Sequence, residues 1–147
     1  MSLQNDIVEF ARSWVGTPYV HQASTRGSGT DCLGLLRGVW RVTYGQEPEA
    51  VPAYSLDWSE PQRQERLWLA ARRHLNEKQV SKMAAGDVIL FRMRTRSVAK
   101  HLGIVGNSPP EPTFIHAYSG HNVAESPLSA PWQRRIVACF EFPVRRR

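Results

Sequence analysis

Several common sequence features are missing from this chain. No apolar run approaches the roughly 20 residues that a helix needs to cross a bilayer, so no transmembrane segment is predicted. The first residues, Met1–Asp6, contain no basic segment followed by an apolar stretch, which argues against a secretory signal peptide and predicts synthesis in the cytoplasm. There is also no internal repeat and no low-complexity tract. These absences favour a globular protein that would need an external means of reaching any site outside the cytoplasm.

Cysteine is scarce, because the chain has only 2, Cys32 and Cys139, which lie far apart. They give no disulfide framework, and without a Cys-x-x-Cys pair they do not form a zinc motif. Cys139 lies in the apolar run Ile136–Phe140, where a thiol behaves as a small hydrophobic side chain. Cys32 instead lies between a loop rich in Gly, Ser and Thr and a helix-like stretch, a setting typical of a reactive cysteine.

The overall composition is that of a basic globular protein. With 147 residues, 41% of them apolar and 22% charged, the chain is expected to form a single domain over residues 1–147. Its net charge of +6 favours a polyanionic partner such as nucleic acid, an anionic envelope or an acidic protein, although a merely soluble surface is the alternative. No zinc finger or aromatic RNA-binding strand accompanies the charge, so no specific nucleic-acid partner is predicted.

The spacing of apolar residues predicts helices in the first half of the chain and strands in the second. Helices are expected at residues 3–14, 32–44 and about 59–76, with Thr30 or Asp31 as the cap of the second and Gly45 as its end. Short apolar runs predict strands at Val88–Phe91, His101–Val105, Thr113–Ala117 and Arg135–Phe142. This order indicates an α+β fold, with N-terminal helices packed on a C-terminal antiparallel β-sheet.

Two glycines interrupt the second predicted helix. Gly34 and Gly38 are four residues apart, so one face of that helix has almost no side chain. Each glycine destabilises a helix by roughly 1 kcal/mol relative to alanine. We therefore expect another part of the chain to approach this face closely.

Cys32 is a candidate nucleophile. A cysteine reacts as its thiolate, and a helix N-terminus favours that form through unpaired N–H groups and the helix dipole. Cys32 is expected at the first position of the second helix, so its thiol pKa is expected to be lowered there. A buried cysteine with a structural role is the alternative.

Two of the 5 histidines are candidates for the base and its orienting partner. His101 and His116 both lie in strand-like runs with a turn between them, so they can lie side by side on adjacent strands. One ring could then orient the other, as the third member of a catalytic triad does. A zinc site is the competing use of such residues, but the pair His116 and His121, without a His-Glu-x-x-His helix, fits it poorly.

Five stretches, taken in order, resemble the motifs of the NlpC/P60 family of cysteine peptidases. They are Val15–Tyr19, Thr30–Leu35, Ala85–Phe91, His101–Val105 and Phe114–Ala117. Within that family, the stretch Asp31–Trp40 is most similar to short cell-wall peptidases of phage tail tips and gene transfer agents.

The resemblance implies a papain-like fold, no cofactor and no metal, and hydrolysis of peptidoglycan stem peptides, with the γ-D-glutamyl–diamino acid bond as a candidate. By motif position, Cys32 would be the nucleophile, His101 the base and His116 the residue that orients it. Tyr19 would line the site, and Asp31 would help to bind the free amine of the stem peptide. The resemblance also implies phage-like tail or baseplate proteins as partners, and delivery to the cell envelope by a particle.

One position departs from the family pattern. Many members have serine after the nucleophile, where it helps to shape substrate binding, and this chain has Leu33 there, so the resemblance leaves the exact bond open. Two alternatives follow for the function. The chain could be a structural tail-tip or baseplate module with the same fold, or an amidase or acyltransferase on that fold.

Overall fold

The computed structural model describes residues 2–49, 65–94 and 96–144. Within these ranges the α-helices are α1 Leu3–Arg12, α2 Cys32–Tyr44, α3 Arg66–His74 and α4 Ala130–Gln133, with a 3-10 turn at Val80–Lys82. The strands of the same ranges are β1 Ser24–Thr25, β2 Gly29–Thr30, β3 Asn76–Lys78, β4 Val88–Phe91, β5 His101–Val105, β6 Thr113–His116, β7 Ala124–Pro127 and β8 Ile136–Glu141. None of the described helices combines the length and the apolarity that crossing a membrane would require.

The strands β3 to β8 form a 6-stranded sheet in the order β3-β8-β4-β5-β6-β7. Every pairing in it is antiparallel. The short strands β1 and β2 form a separate hairpin just before α2. Helices that precede and cover an antiparallel sheet confirm the predicted α+β fold.

The pleat of the sheet directs alternate side chains to two different layers. Leu90, Leu102 and Ile104 pack with α1, α2 and α3 in the larger of the two cores. Ile89 and Phe91, the alternate residues of β4, pack on the opposite face against residues of and around α4. The central strands are therefore buried on both sides, which explains why they are continuous apolar runs.

The four predicted strands are confirmed as β4, β5, β6 and β8, with ends that differ by one residue at most. Two edge strands, β3 and β7, were not predicted. Their sequences, Asn-Glu-Lys and Ala-Glu-Ser-Pro, lack the apolar alternation on which the prediction relied. Polar residues and proline are typical of sheet edges, because they discourage pairing with a further strand.

The helix predictions are confirmed most closely for α2, which begins at Cys32 and ends at Tyr44. Asp31, rather than Thr30, is its cap, and Gly45 ends it with a φ of 96°. The first helix ends at Arg12, two residues earlier than predicted. For the third helix, the predicted start at residue 59 lies outside the described residues, and the predicted end at residue 76 is wrong, because Asn76 already belongs to β3.

The glycine face of α2 is occupied as expected. A Cβ atom added at Gly34 would collide with the carbonyl oxygen of Ala23, in the loop before the helix. One added at Gly38 would collide with the indole of Trp14, which follows α1. The two glycines thus let α2 lie against the preceding loop at one point and against the segment after α1 at the other.

We predict that Gly38→Ala lowers the free energy of unfolding by about 1–3 kcal/mol, because the new methyl group overpacks the buried Trp14. Urea denaturation measures the change. Val42→Ala, on the exposed side of the same helix, is the control and should change stability by no more than about 0.5 kcal/mol. A gain of about 1 kcal/mol in Gly38→Ala, the intrinsic preference of a helix for alanine, would contradict the close contact.

Candidate active site

Asp31 anchors the start of α2 and the loop before it. Its Oδ1 atom accepts a hydrogen bond of 2.7 Å from the backbone N–H of Gly34, which caps the helix. Its Oδ2 atom accepts another of 2.7 Å from the backbone N–H of Gln22. Since the side chain is buried, both bonds are shielded from water. Asp31 therefore fixes where Cys32, the first residue of the helix, lies.

The partly buried thiol of Cys32 lies against the beginning of β5. Its Sγ atom donates to the carbonyl oxygen of Lys100 at 3.8 Å, and the backbone N–H of Leu102 is hydrogen-bonded to the sulfur. These two residues flank His101 in the chain. Among the described residues, the sulfur makes no hydrogen bond with His101 itself. The Cys32 thiol therefore contacts the backbone on either side of His101. Binding of substrate would have to bring the thiol and the His101 ring within hydrogen-bond distance.

Burial, and not the helix dipole, dominates the protonation of this thiol. Removal from water raises the pKa of Cys32 to about 12, and the Asp31 carboxylate acts in the same direction. Hydrogen bonds from the backbone N–H groups of Leu102, Leu33 and Cys32 oppose this effect without reversing it. The sequence-based expectation of a lowered pKa is therefore wrong for the substrate-free protein, because a helix N-terminus does not offset the loss of water.

His101 and His116 lie side by side on adjacent strands, as predicted. Nε2 of His101 is 3.1 Å from Nδ1 of His116, within hydrogen-bond distance. Gly103, two residues along β5, leaves the space for this pair, because a Cβ atom there would come within 2.8 Å of the Phe114 ring and 3.4 Å of His116 Cβ.

Ser126 extends the histidine pair to a chain of three side chains. Nε2 of His116 is 3.2 Å from Oγ of Ser126, on the neighbouring strand β7. If His101 donates from Nε2 to His116 and His116 donates from Nε2 to Ser126, Nδ1 of His101 carries a lone pair. In that arrangement Nδ1 of His101 can accept a proton. Sequence reasoning missed Ser126, because it lies in the polar edge strand.

Both histidines are held in their neutral forms. Burial, together with the neighbouring His116, lowers the pKa of His101 to about 3. Burial, together with His121, lowers the pKa of His116 to about 4. Because burial also keeps the Cys32 thiol protonated, the resting site contains a neutral thiol and a neutral imidazole.

Aromatic rings enclose the histidine pair. The ring of Trp132, in α4, lies 5.8 Å from that of His101 and 5.3 Å from that of His116. Phe114 stacks on His116 at 4.0 Å, and Tyr118 meets His101 edge-on at 5.5 Å. Sequence reasoning missed Trp132, although Pro131 in the first turn of α4 is a helix-start signal that could have located this helix.

Tyr19 lies with Asp31 beside the thiol. A bridge between Tyr19 and Thr30 holds its backbone next to β2. Burial raises the pKa of Tyr19 to about 12, and the negative charge of Asp31, and of Cys32 in its thiolate form, adds to this effect, so the Tyr19 hydroxyl stays a donor. His21, which was not predicted, belongs to the same group, since its Nδ1 atom lies 3.9 Å from Oδ2 of Asp31.

Leu33 lies apart from Tyr19 and Asp31. Its side chain lines a largely apolar cavity of about 310 Å³ between α2 and α3, together with Leu36, Trp40, Leu67 and others. Tyr19, Asp31 and His101 are not among the described residues that line this cavity. The role of Leu33 in substrate binding stays a prediction. In the part of the chain that the structure describes, no three His, Cys, Asp or Glu side chains are grouped as metal ligands.

The high pKa of Cys32 predicts how its alkylation depends on pH. Since only the thiolate reacts, the rate of carboxamidomethylation by iodoacetamide should rise throughout pH 7–10 without reaching a plateau. Cys139 is the internal control, because it is completely buried and should be labelled only after unfolding. Labelling followed by peptide mass spectrometry distinguishes the two thiols, and a plateau for Cys32 below pH 8 would contradict a site dominated by burial.

The two neutral histidines predict a loss of stability in acid. Their pKa values are about 3 and 4 in the folded protein, but about 6.5 in the unfolded chain, which therefore binds more protons at intermediate pH. Stability is thus complete above about pH 6.5 and falls towards pH 4.5, by up to about 1.4 kcal/mol per pH unit for each histidine. Urea denaturation across this range should show the slope, and His101→Gln/His116→Gln should flatten it.

Comparison with known proteins supports a family assignment. The sequence model of the NlpC/P60 family matches residues 16–141. Among solved structures, the chain is similar to the NlpC/p60 domain of the peptidoglycan hydrolase SagA, with 21% identity and a TM-score of 0.66, over 96% of this chain and 100% of that one. No curated protein matches it.

Two longer solved structures show the same likeness. An NlpC/P60 family protein from Bacillus cereus has 17% identity and a TM-score of 0.65, over 96% of this chain and 40% of that one. A lipoprotein-like NLP/P60 family protein from Staphylococcus aureus has 20% identity and a TM-score of 0.61, over 95% of this chain and 41% of that one. The chain thus spans less than half of each. The papain-like NlpC/P60 fold is confirmed, and with a match across residues 16–141 the chain belongs to the NlpC/P60 family.

Proposed function

We propose that this chain is a cysteine peptidase that hydrolyses peptidoglycan stem peptides, with Cys32 as nucleophile, His101 as base and His116 as orienting residue. The observation that carries the proposal is the hydrogen-bonded chain His101–His116–Ser126 beside a partly buried thiol at a helix N-terminus. The description of SagA, a protein of the same fold, as a peptidoglycan hydrolase supports the choice of substrate.

The neutral resting site implies that proton transfer accompanies attack. As Sγ of Cys32 bonds to the substrate carbonyl carbon, Nδ1 of His101 takes the thiol proton. The C–N bond then breaks, and the leaving amine takes that proton from His101. Water then attacks the acyl carbon, and His101 accepts one proton of the water as its oxygen bonds to that carbon. The C–S bond breaks, and Sγ of Cys32 takes the proton from His101. Peptide bond and water are thereby converted to carboxylic acid and amine, and the thiol is regenerated.

Two donors could stabilise the oxyanion of this reaction. The backbone N–H of Cys32 lies in the first turn of α2, where N–H groups have no partner within the helix. The hydroxyl of Tyr19 keeps its proton, because burial raises its pKa to about 12. Both groups are beside the thiol, which suits them to the tetrahedral intermediate.

The substrate role of Asp31 competes with its structural role. Each of its carboxylate oxygens already accepts a backbone hydrogen bond, and the side chain is buried. Its first task is therefore to position the helix and the loop. Binding of a stem-peptide amine by Asp31, and cleavage of the γ-D-glutamyl–diamino acid bond in particular, are the finer parts of the proposal.

We also propose that the peptidase acts as a single domain within a phage-like or gene-transfer-agent tail, which carries it to the envelope. The similarity of Asp31–Trp40 to tail-tip peptidases supports this. If the chain were a purely structural tail module, its hydrogen-bonded histidine pair would have no function. Acyl transfer on the same fold would need an acceptor beside Cys32, and neither Cys32 nor His101 is among the described residues that line the apolar cavity at Leu33.

Digestion of purified peptidoglycan tests the proposed reaction directly. Mass spectrometry of the soluble products should show stem peptides cut at one type of amide bond by the native chain and not by Cys32→Ala. The masses also identify the bond, since each cleavage leaves a distinct pair of fragments. Intact stem peptides with the native chain, or identical products with Cys32→Ala, would refute a cysteine peptidase.

The roles of the histidine chain predict a graded series of variants. His101→Ala should lower kcat/KM for a stem peptide by about 100-fold or more, because no other group replaces the base. His116→Gln should keep part of the activity, and Ser126→Ala should cost about two- to tenfold, because each affects only the orientation of His101. Ser129→Ala is the control, since that exposed serine caps no helix by its side chain. A Ser126→Ala variant as active as Ser129→Ala would contradict the three-residue chain.

A further inference from the structure

An arginine-lined cavity of about 480 Å³ lies where the segment after β4 meets α4 and the beginning of β8. Its lining contains five arginines, Arg92, Arg94, Arg96, Arg134 and Arg135, together with Met93, Pro131 and Val137. No acidic residue is among the described residues that line it. We call it the arginine cavity.

Two segments that are distant in sequence form this cavity. One follows β4, and the other follows α4 and leads into β8. The backbone N–H of Arg92 donates to the carbonyl oxygen of Arg135 at 2.9 Å, and Phe91 pairs with Ile136 one residue further along. The arginines are therefore brought together by the sheet itself, which makes the cavity a built feature of the fold.

Most of the positive charge in the cavity is not balanced by acidic side chains. Arg92 forms an ion pair with Glu65 at 2.9 Å, and Arg135 donates to the carbonyl of Pro131 at 3.1 Å. Among the described residues, Arg94, Arg96 and Arg134 have no acidic partner. Because these like charges line one cavity, an anion bound there would lower their mutual repulsion and be stabilised.

The chemistry of the lining selects among anions. Guanidinium groups bind the oxygens of phosphate in paired, directional hydrogen bonds, and every cationic side chain among the described lining residues is an arginine. The apolar residues Met93, Pro131 and Val137 suit the carbon segments between phosphates. Single-stranded nucleic acid would need aromatic rings for its bases, and none lines the described part of the cavity.

We infer that the arginine cavity binds a phosphodiester-linked polyol or sugar polymer of the bacterial envelope. The choice of the envelope as its source rests on the proposed function, while the phosphate chemistry rests on the arginines alone. The cavity lies next to the site, because α4 carries Trp132 against His101 and Phe91 pairs with His101 in the sheet. Polymer bound there would hold the catalytic face at the wall and raise the local concentration of stem peptides.

Binding of a defined oligomer of glycerol phosphate tests this inference. The full chain, carrying Cys32→Ala so that no cleavage occurs, is titrated into a fluorescent oligomer at several salt concentrations. Arg94→Gln/Arg134→Gln should weaken binding by about tenfold or more and make its dependence on salt less steep, because fewer phosphates are neutralised. Arg72→Gln/Lys82→Gln removes the same charge outside the cavity and should weaken binding less than about threefold. Thermal unfolding of each variant confirms that it is folded.

The same titration distinguishes this partner from others and from a failure of the proposed function. Equal weakening by both double variants would overturn the cavity as a site, because it would show only diffuse attraction. Tighter binding of oligothymidylate or polyglutamate with the same number of charges would overturn the choice of polymer. Since Cys32→Ala is inactive by design, these outcomes do not depend on whether the native chain cleaves stem peptides.

Discussion

The carboxylate of Asp31 is the interaction on which the site depends. By accepting backbone N–H groups from Gly34 and Gln22, it fixes the first turn of α2 and the preceding loop in a single arrangement. Gly34 also contributes through its lack of a side chain, because the carbonyl of Ala23 occupies the space that a Cβ atom would need. Cys32 lies between these contacts, so the thiol reaches the start of β5 through rigid backbone and not through a flexible side chain.

Burial then sets the chemistry that this geometry permits. The same exclusion of water raises the pKa of Cys32 to about 12 and lowers that of His101 to about 3, so both groups are predominantly neutral before substrate arrives. A preformed thiolate–imidazolium pair would react without substrate, for example with oxidants. A neutral pair requires attack and proton transfer to be coupled, and it relies on hydrogen-bonded neighbours to keep the base in the correct tautomer. His116 and Ser126 meet that requirement.

The sequence was sufficient for features that arise locally, and insufficient for those that arise from packing. The apolar runs of β4, β5, β6 and β8, and the cap and glycine end of α2, follow from residue type and spacing, so they were predicted closely. The edge strands were missed because edges are polar, and with β7 the role of Ser126 was missed as well. The pKa of Cys32 was predicted in the wrong direction, because the dipole of a helix is a local property whereas loss of water depends on the whole fold.

The two faces of the central sheet pack against different parts of the molecule. One face of the sheet packs on the helices, and Cys32, the first residue of α2, meets the backbone on either side of His101 where β5 begins. Next to this point lie the histidine pair with its aromatic rings, and the arginine cavity. The short helix α4 joins the last two, because Trp132 packs on the histidines while Pro131 lines the cavity. Aromatic rings thus separate the buried, neutral histidines from an exposed cationic cluster. This separation keeps the buried histidines uncharged although strong positive charge lies close to them.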